Sequence, residues 1–148
     1  MFIAIGANHH GHRVRTMLIG LLRELGHEVV DLGAHDHRPV DYPDIAATVA
    51  GKVGRKEVDR GILISGSGLG MCIAANKFPG VRAVLCHDDM TAEMSRRHND
   101  ANVLCLAAGM LGESIIRHIV ATWLKAPFDG GCYARQLEKI ASLECGGQ

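Results

Sequence analysis

Short apolar runs alternate along this chain with longer stretches whose apolar positions recur every three to four residues. Residues 2–7, 28–33, 60–65, 81–86 and 102–107 are runs rich in Ile, Val, Leu and Ala, and each predicts a buried strand. Between them the spacing turns helical. In residues 13–25, Val14, Met17, Leu18, Leu21, Leu22 and Leu25 fall on one face, and Gly26 marks the stop. Further helices are expected over residues 44–53, 68–78, 89–98, 111–124 and 134–143. Asp41-Tyr42-Pro43-Asp44 opens the helix over 44–53, and Thr91 or Asp89 stands near the cap of the one over 89–98.

Five β-α units with near-continuous apolar strands imply a five-stranded parallel sheet covered on both faces. Right-handed crossovers wind such a sheet into a doubly wound α/β fold, a three-layer αβα sandwich of Rossmann-like or flavodoxin-like type with a C-terminal helix. One domain over residues 1–148 is expected, with a frayed tail from about residue 144. Ligands of such folds sit beyond the carboxyl ends of the strands, where the strand order reverses. The informative segments are therefore 7–11, 33–41, 65–70, 87–88 and 107–109.

Composition narrows the partners. Hydrophobic residues make up 47% of the chain and aromatics only 4%, so the core must be aliphatic. Formal net charge is zero, which argues against a nucleic-acid or membrane-surface binder. No run reaches the ~18 apolar residues of a membrane span, and the N-terminus lacks a signal-peptide pattern. Five cysteines form no C-x-x-C pair, so neither a zinc site nor a disulfide framework is expected, and reduced thiols in the cytoplasm fit. The cluster His9, His10 and His12 has no zinc spacing, and no metal is expected. His35 and His37 read as members of a solvated loop.

The strongest chemical signal is Ser65-Gly66-Ser67-Gly68-Leu69-Gly70, which joins the third strand to its helix. Alternating glycines allow a tight turn and aim backbone N–H groups at one point, where an anion or a developing oxyanion is stabilised. The plain alternative is a tight β-α turn. The spacing is not G-x-G-x-x-G, and no P-loop lysine follows, so a nucleotide cofactor is not expected.

Residues 61–70, followed by Ile73-Ala74-Ala75-Asn76-Lys77, resemble the signature of type B ribose-5-phosphate isomerases and the related galactose-6-phosphate isomerase subunits. Other motifs follow in order. Gly6-Ala7-Asn8-His9-His10-Gly11 is similar to the family's G-x-D-H-x-G, Asp41-Tyr42-Pro43 to its D-Y-P, and His98-Asn99-Asp100-Ala101-Asn102 to its H-N-D-x-N. Gly130-Gly131 begins its C-terminal G-G-R-H-x-x-R. The resemblance covers nearly all of residues 1 to 143.

The resemblance implies a cofactor-independent aldose–ketose isomerase working through a cis-enediolate on a sugar or sugar phosphate. It implies a homodimer, with a tetramer as the larger alternative, in which His98 and Asn99 reach across the interface. The backbone of Gly66, Ser67, Gly68, Leu69 and Gly70 would hold the enediolate, with Ser67 in place of the usual Thr. His98 would open the sugar ring, since an imidazole exchanges protons near neutral pH. Tyr42 and Asn99 would line the sugar. His9 and Arg135 are the candidates for an anionic tail.

Three departures bear on the chemistry. Ser65 stands where most members have the catalytic Cys, and Met71 where some have Glu. A hydroxyl is a far poorer base than a thiolate, so Ser65 needs a neighbour such as His9 or Asp41 to take its proton. Cys72 lies about 100° round the helix from Met71 and reads as core. Asn8 replaces an Asp and can hold a sugar hydroxyl but not act as a base. Gly109, Cys132 and Gln136 occupy the family's phosphate-gripping Arg positions, with Arg135 between the last two. The expected activity is interconversion of ribose 5-phosphate and ribulose 5-phosphate. The alternatives are an unphosphorylated or other sugar, or sugar binding without catalysis.

Overall fold

The structure is a computed structural model that describes residues 1–35 and 38–146. His37 and the last two residues of the expected tail lie outside the described residues. Among those described, five strands alternate with six α-helices: β1 Phe2–Ala7, α1 His12–Glu24, β2 Glu28–Asp31, α2 Tyr42–Gly54, β3 Arg60–Ser65, α3 Leu69–Ala75, β4 Ala83–Leu85, α4 Asp89–Arg97, β5 Val103–Ala107, α5 Glu113–Lys125 and α6 Cys132–Cys145. A 3-10 turn, His9–Gly11, follows β1.

All strand pairs are parallel, in the order β2-β1-β3-β5-β4. The central strands β1, β3 and β5 carry residues buried on both faces, such as Ile62, Leu63 and Ile64, as a sheet covered by helices requires. One face packs Val14, Leu18 and Leu22 of α1 and Ile116, Ile119, Val120 and Trp123 of α5 against Ile3, Ile5, Ile62 and Leu104. The other packs Ile45, Ala46 and Val49 of α2 and Met71 and Ala75 of α3 against Ala4, Leu63 and Cys105. The three-layer doubly wound sandwich is therefore as the sequence predicts, with β5 inserted between β3 and β4.

That insertion leaves β4 as an edge strand, and β4 is shorter than expected. Asparagine side chains take the place of ladder partners at its start: Asn102 Oδ1 accepts from Arg82 N–H at 2.7 Å and Asn76 Oδ1 from Ala83 N–H at 2.9 Å. The Asn76 amide also donates to the Cys72 carbonyl at 3.1 Å, and α3 ends at Ala75 rather than continuing to residue 78. Asp88, rather than Thr91 or Asp89, caps α4, accepting from the N–H of Thr91 at 2.7 Å. Helix α6 runs to Cys145, two residues beyond the helix expected over 134–143, and the Glu144 carboxylate near its end accepts from Gly80 N–H at 3.1 Å.

Trp123, the only tryptophan, is fully buried. The Arg60 guanidinium lies 5.1 Å from its ring centroid and donates to the carbonyls of Trp123 and Leu124 at the end of α5. Burial, with the Arg96 guanidinium adding to it, pushes Arg60 down to about 10. Trp123→Ala should cost about 3–5 kcal/mol by urea denaturation, from lost burial plus the cavity left behind.

The Asp88 carboxyl is held below its ordinary value, chiefly by the Thr91 N–H. A lowered folded-state value means that the cap stabilises above the ordinary carboxylate range and is lost as pH falls through it. Asp88→Asn keeps a neutral cap. The melting-temperature gap between wild type and this variant should therefore shrink or reverse as pH drops from about 6 to below about 4.

Candidate active site

The chain reverses its direction of travel across the sheet between β1 and β3, and in folds of this kind the crevice that takes a ligand lies beyond the carboxyl ends of the two strands at that reversal. Register defines it. Ala7 pairs with Ile64, Ser65 with Ala107, and the Asn8 N–H donates to the Ile64 carbonyl at 3.2 Å. The His9–Gly11 turn thus lies over the end of β3. Gly11 allows this approach, since a Cβ there would stand 2.7 Å from Ile64 Cγ2 and 2.9 Å from the Ile64 carbonyl oxygen.

The loop from Ser65 to Gly70 forms the opposite wall. Gly68 has φ +75°, a left-handed conformation that suits glycine. The two loop hydroxyls satisfy their own backbone: Ser65 Oγ accepts from Gly68 N–H at 2.9 Å and Ser67 Oγ from Leu69 N–H at 3.3 Å. Of the loop N–H groups expected to form an anion hole, those of Gly68 and Leu69 are thus engaged by side chains of the loop itself. A ligand must compete with the Ser65 and Ser67 hydroxyls for the N–H groups of Gly68 and Leu69.

Three further groups border the loop. Tyr42, the first residue of α2, lies across Gly70, where a methyl group would fall 2.4 Å from Tyr42 Cζ. Gly109 donates its N–H to the Gly66 carbonyl at 2.9 Å, and a Cβ on Gly109 would meet that oxygen at 3.0 Å. His10, read from the sequence only as part of a histidine cluster without metal spacing, stands over Gly66. A Cβ built there would lie 4.0 Å from both Cβ and Cγ of His10. Its ring contacts that of His9 at 4.0 Å between centroids. The signal that could have found it is strand adjacency, because a turn after β1 must meet the loop after β3 when the two strands pair.

Asn8 was expected to hold a sugar hydroxyl. Its Oδ1 accepts from the His10 N–H at 3.1 Å and caps the 3-10 turn, and the residue is buried. His9 is half-buried, with Nδ1 enclosed and without a hydrogen-bond partner among the described residues. Cys72 packs against the core, its Sγ 3.5 Å from the Ala83 carbonyl on β4. A hydrogen bond from Cys105 pulls Cys72 down to about 7, while Cys105 is pushed up.

His98, Asn99 and Arg135 do not join this cluster within one chain. His98 caps the carboxyl end of α4, which has run back toward the starts of the strands. Arg82, just before β4, donates through Nε to the Asn99 carbonyl at 3.1 Å. Ser65 lies at the far end, level with the last residue of β5. About 17 Å of strand, five residues at ~3.3 Å each, separates the two levels. His98 stacks on Tyr133 of α6, with centroids 4.2 Å apart and ring planes 12° apart. Arg135 is exposed on α6.

A doubly wound α/β domain with a glycine loop, hydroxyls and imidazoles at its switch point has the makings of a small-molecule enzyme rather than a macromolecular binder. A family model described as Ribose/Galactose Isomerase matches residues 3–140, and the chain belongs to that family. It is 42% identical over 142 residues to a ribose-5-phosphate isomerase B of Escherichia coli, covering 96% of this chain and 95% of the relative. Among solved structures, ribose-5-phosphate isomerase B of Clostridium thermocellum superimposes with a TM-score of 0.98 at 45% identity, covering 100% of both chains. Ribose-5-phosphate isomerase B of Mycoplasma genitalium with bound ribulose-5-phosphate gives 0.94 at 41% identity, covering 97% of this chain and 95% of that one.

The contact between Gly70 and Tyr42 gives a test of the crevice. Gly70→Ala must swing the tyrosine ring off the loop, so turnover should fall about tenfold or more while global stability changes by less than about 1 kcal/mol. Steady-state kinetics beside a thermal melt checks both.

Proposed function

We propose that the protein is a cofactor-independent aldose–ketose isomerase that interconverts ribose 5-phosphate and ribulose 5-phosphate through a cis-enediolate. The observation that carries this reading is the switch-point crevice itself. There the Ser65–Gly70 loop, Tyr42 and the histidines after β1 converge in a fold that superimposes on ribose-5-phosphate isomerases B over nearly its whole length. The loop supplies donors for the oxygen that becomes negative as the C2 proton leaves. Ser65 and Ser67 flank that oxygen, and Tyr42 orients the sugar.

The working unit in this reading is a homodimer. His98 and Asn99 of one copy lie at the wrong end of their own sheet to reach their own loop, and a second copy supplies them. Two surfaces support this. Ile73, 65% exposed, and Leu69 lie on α3 beside the loop, and α6 has no buried residues and leaves Leu143 74% exposed. In the dimer His98 opens the ring, Tyr133 stacks behind it, Asn99 holds a hydroxyl, and Arg135 and His9 face the anionic tail.

A second reading has one specific support. Position 109 is closed against the Gly66 carbonyl, and Cys132 and Gln136 are uncharged on exposed α6. Charge-assisted contacts contribute roughly 1.5–3 kcal/mol each, so a site with few of them suits an unphosphorylated or differently charged sugar. Proton exchange at C2 in D2O, followed by NMR with ribose 5-phosphate and free ribose, separates the readings. Exchange with the phosphate ester is expected. Exchange confined to the free sugar would move the assignment to the second reading.

Dimer sharing has its own test. His98→Ala and Gly70→Trp should each be inactive alone, and their mixture after subunit exchange should recover about a quarter of wild-type activity, since half the dimers then carry one intact site. No recovery despite heterodimer formation would count against a shared site.

A further inference from the structure

Isomerisation through an enediolate needs a base that removes a proton from C2 and returns one to C1. Ser65 is badly placed for this. Its side chain is buried, its oxygen already accepts from Gly68 N–H at 2.9 Å, and an alcohol is a weak base. Met71 is fully buried and carries no proton acceptor of use. The Cys72 thiol faces the Ala83 carbonyl on β4. His9 has Nδ1 enclosed. Its neighbour differs: His10 is exposed, its backbone N–H is tethered by Asn8 Oδ1 at 3.1 Å, and its side chain starts 4.0 Å from a Cβ position on Gly66.

We propose that His10 is the catalytic base of this chain, poised over Gly66 to carry the proton between C2 and C1. The inference rests on the isomerase reading above. In the forward direction a neutral imidazole nitrogen of His10 takes the C2 proton, and the C2–H electrons form the C1–C2 double bond. The aldehyde π electrons move to O1, whose negative charge meets the loop N–H groups. The O2 hydroxyl proton passes to O1. The imidazolium then delivers its proton to C1, the electrons on O2 form the C2 carbonyl, and His10 is neutral again. Asn8 and the His9 ring act as positioning groups: the first fixes the turn and the second backs the His10 ring.

The test compares wild type with His10→Gln, and adds Ser65→Cys to the latter to place a thiol at the loop. Three quantities are read: C2 exchange in D2O with ribose 5-phosphate, steady-state kcat and KM, and the Kd for ribitol 5-phosphate, which lacks a carbonyl. His10→Gln should lose about a hundredfold or more in kcat and in exchange. KM and the ribitol 5-phosphate Kd should stay within about threefold, as removal of a group acting only in the transition state requires. The double variant should regain at least tenfold of the lost exchange, because a thiolate can replace the imidazole. His10→Asn, with circular dichroism matching wild type, guards against a folding defect. His10→Gln retaining exchange within about threefold of wild type would overturn the assignment, as would a loss of ribitol 5-phosphate binding equal to the loss of turnover. A wild-type chain that exchanges no phosphosugar proton would fail the isomerase reading itself and take this assignment with it.

Discussion

Everything at the crevice depends on the parallel pairing of β1 with β3. The register Ala7 to Ile64 brings two segments more than fifty positions apart to the same level. It is extended by one hydrogen bond, Asn8 N–H to the Ile64 carbonyl, which carries the chain of β1 over the end of β3 before it turns away. Gly11 permits that turn to lie flat on Ile64, and Gly109 permits the loop after β5 to close on Gly66 from the other side. A side chain at either position would press on backbone that is itself held by the sheet, so the walls of the crevice are set by the rigid part of the molecule.

The same sheet divides the chemistry of one chain between two ends. The loop hydroxyls, Tyr42 and the histidines after β1 collect at the carboxyl ends of the strands. His98, Asn99 and Arg82 collect at the other end, where Arg82 ties the Asn99 and Asp100 carbonyls to the start of β4. Helix α6 adds Tyr133 to His98 and leaves its apolar positions uncovered. An unburied amphipathic helix and an exposed apolar stripe on α3 are costly for a lone chain in water, and this cost is what supports the homodimer proposed above.

The departures from the family pattern fit together physically. Ser65 uses its hydroxyl to brace the glycine loop, a task a thiol does less well because it is a weak hydrogen-bonding group. Gly109 packs against that loop where an arginine would have to push it aside. The bracing keeps the loop rigid and commits the Ser65 hydroxyl to Gly68 N–H, so the proton transfer proposed above falls to a group outside the loop. His10 occupies that outside position.

The sequence by itself determined the layered fold, the parallel sheet, the glycine loop and the family, because each is written in local spacing: apolar runs, helical periodicity and contiguous motifs. It placed Ser65, Ser67, Tyr42 and Gly70 in one region for the same reason, since all follow strand ends. It misjudged elements whose limits depend on side chains from elsewhere. Asn76 and Asn102 shorten β4, Glu144 holds the end of α6, and Asp88 takes the cap of α4. Only the tertiary structure decided that β5 lies between β3 and β4, that His10 stands over Gly66, and that His98 is an end of the sheet away from Ser65. Those are consequences of which strands become neighbours, and neighbours in a parallel sheet are joined by long crossovers that leave no local trace of the pairing.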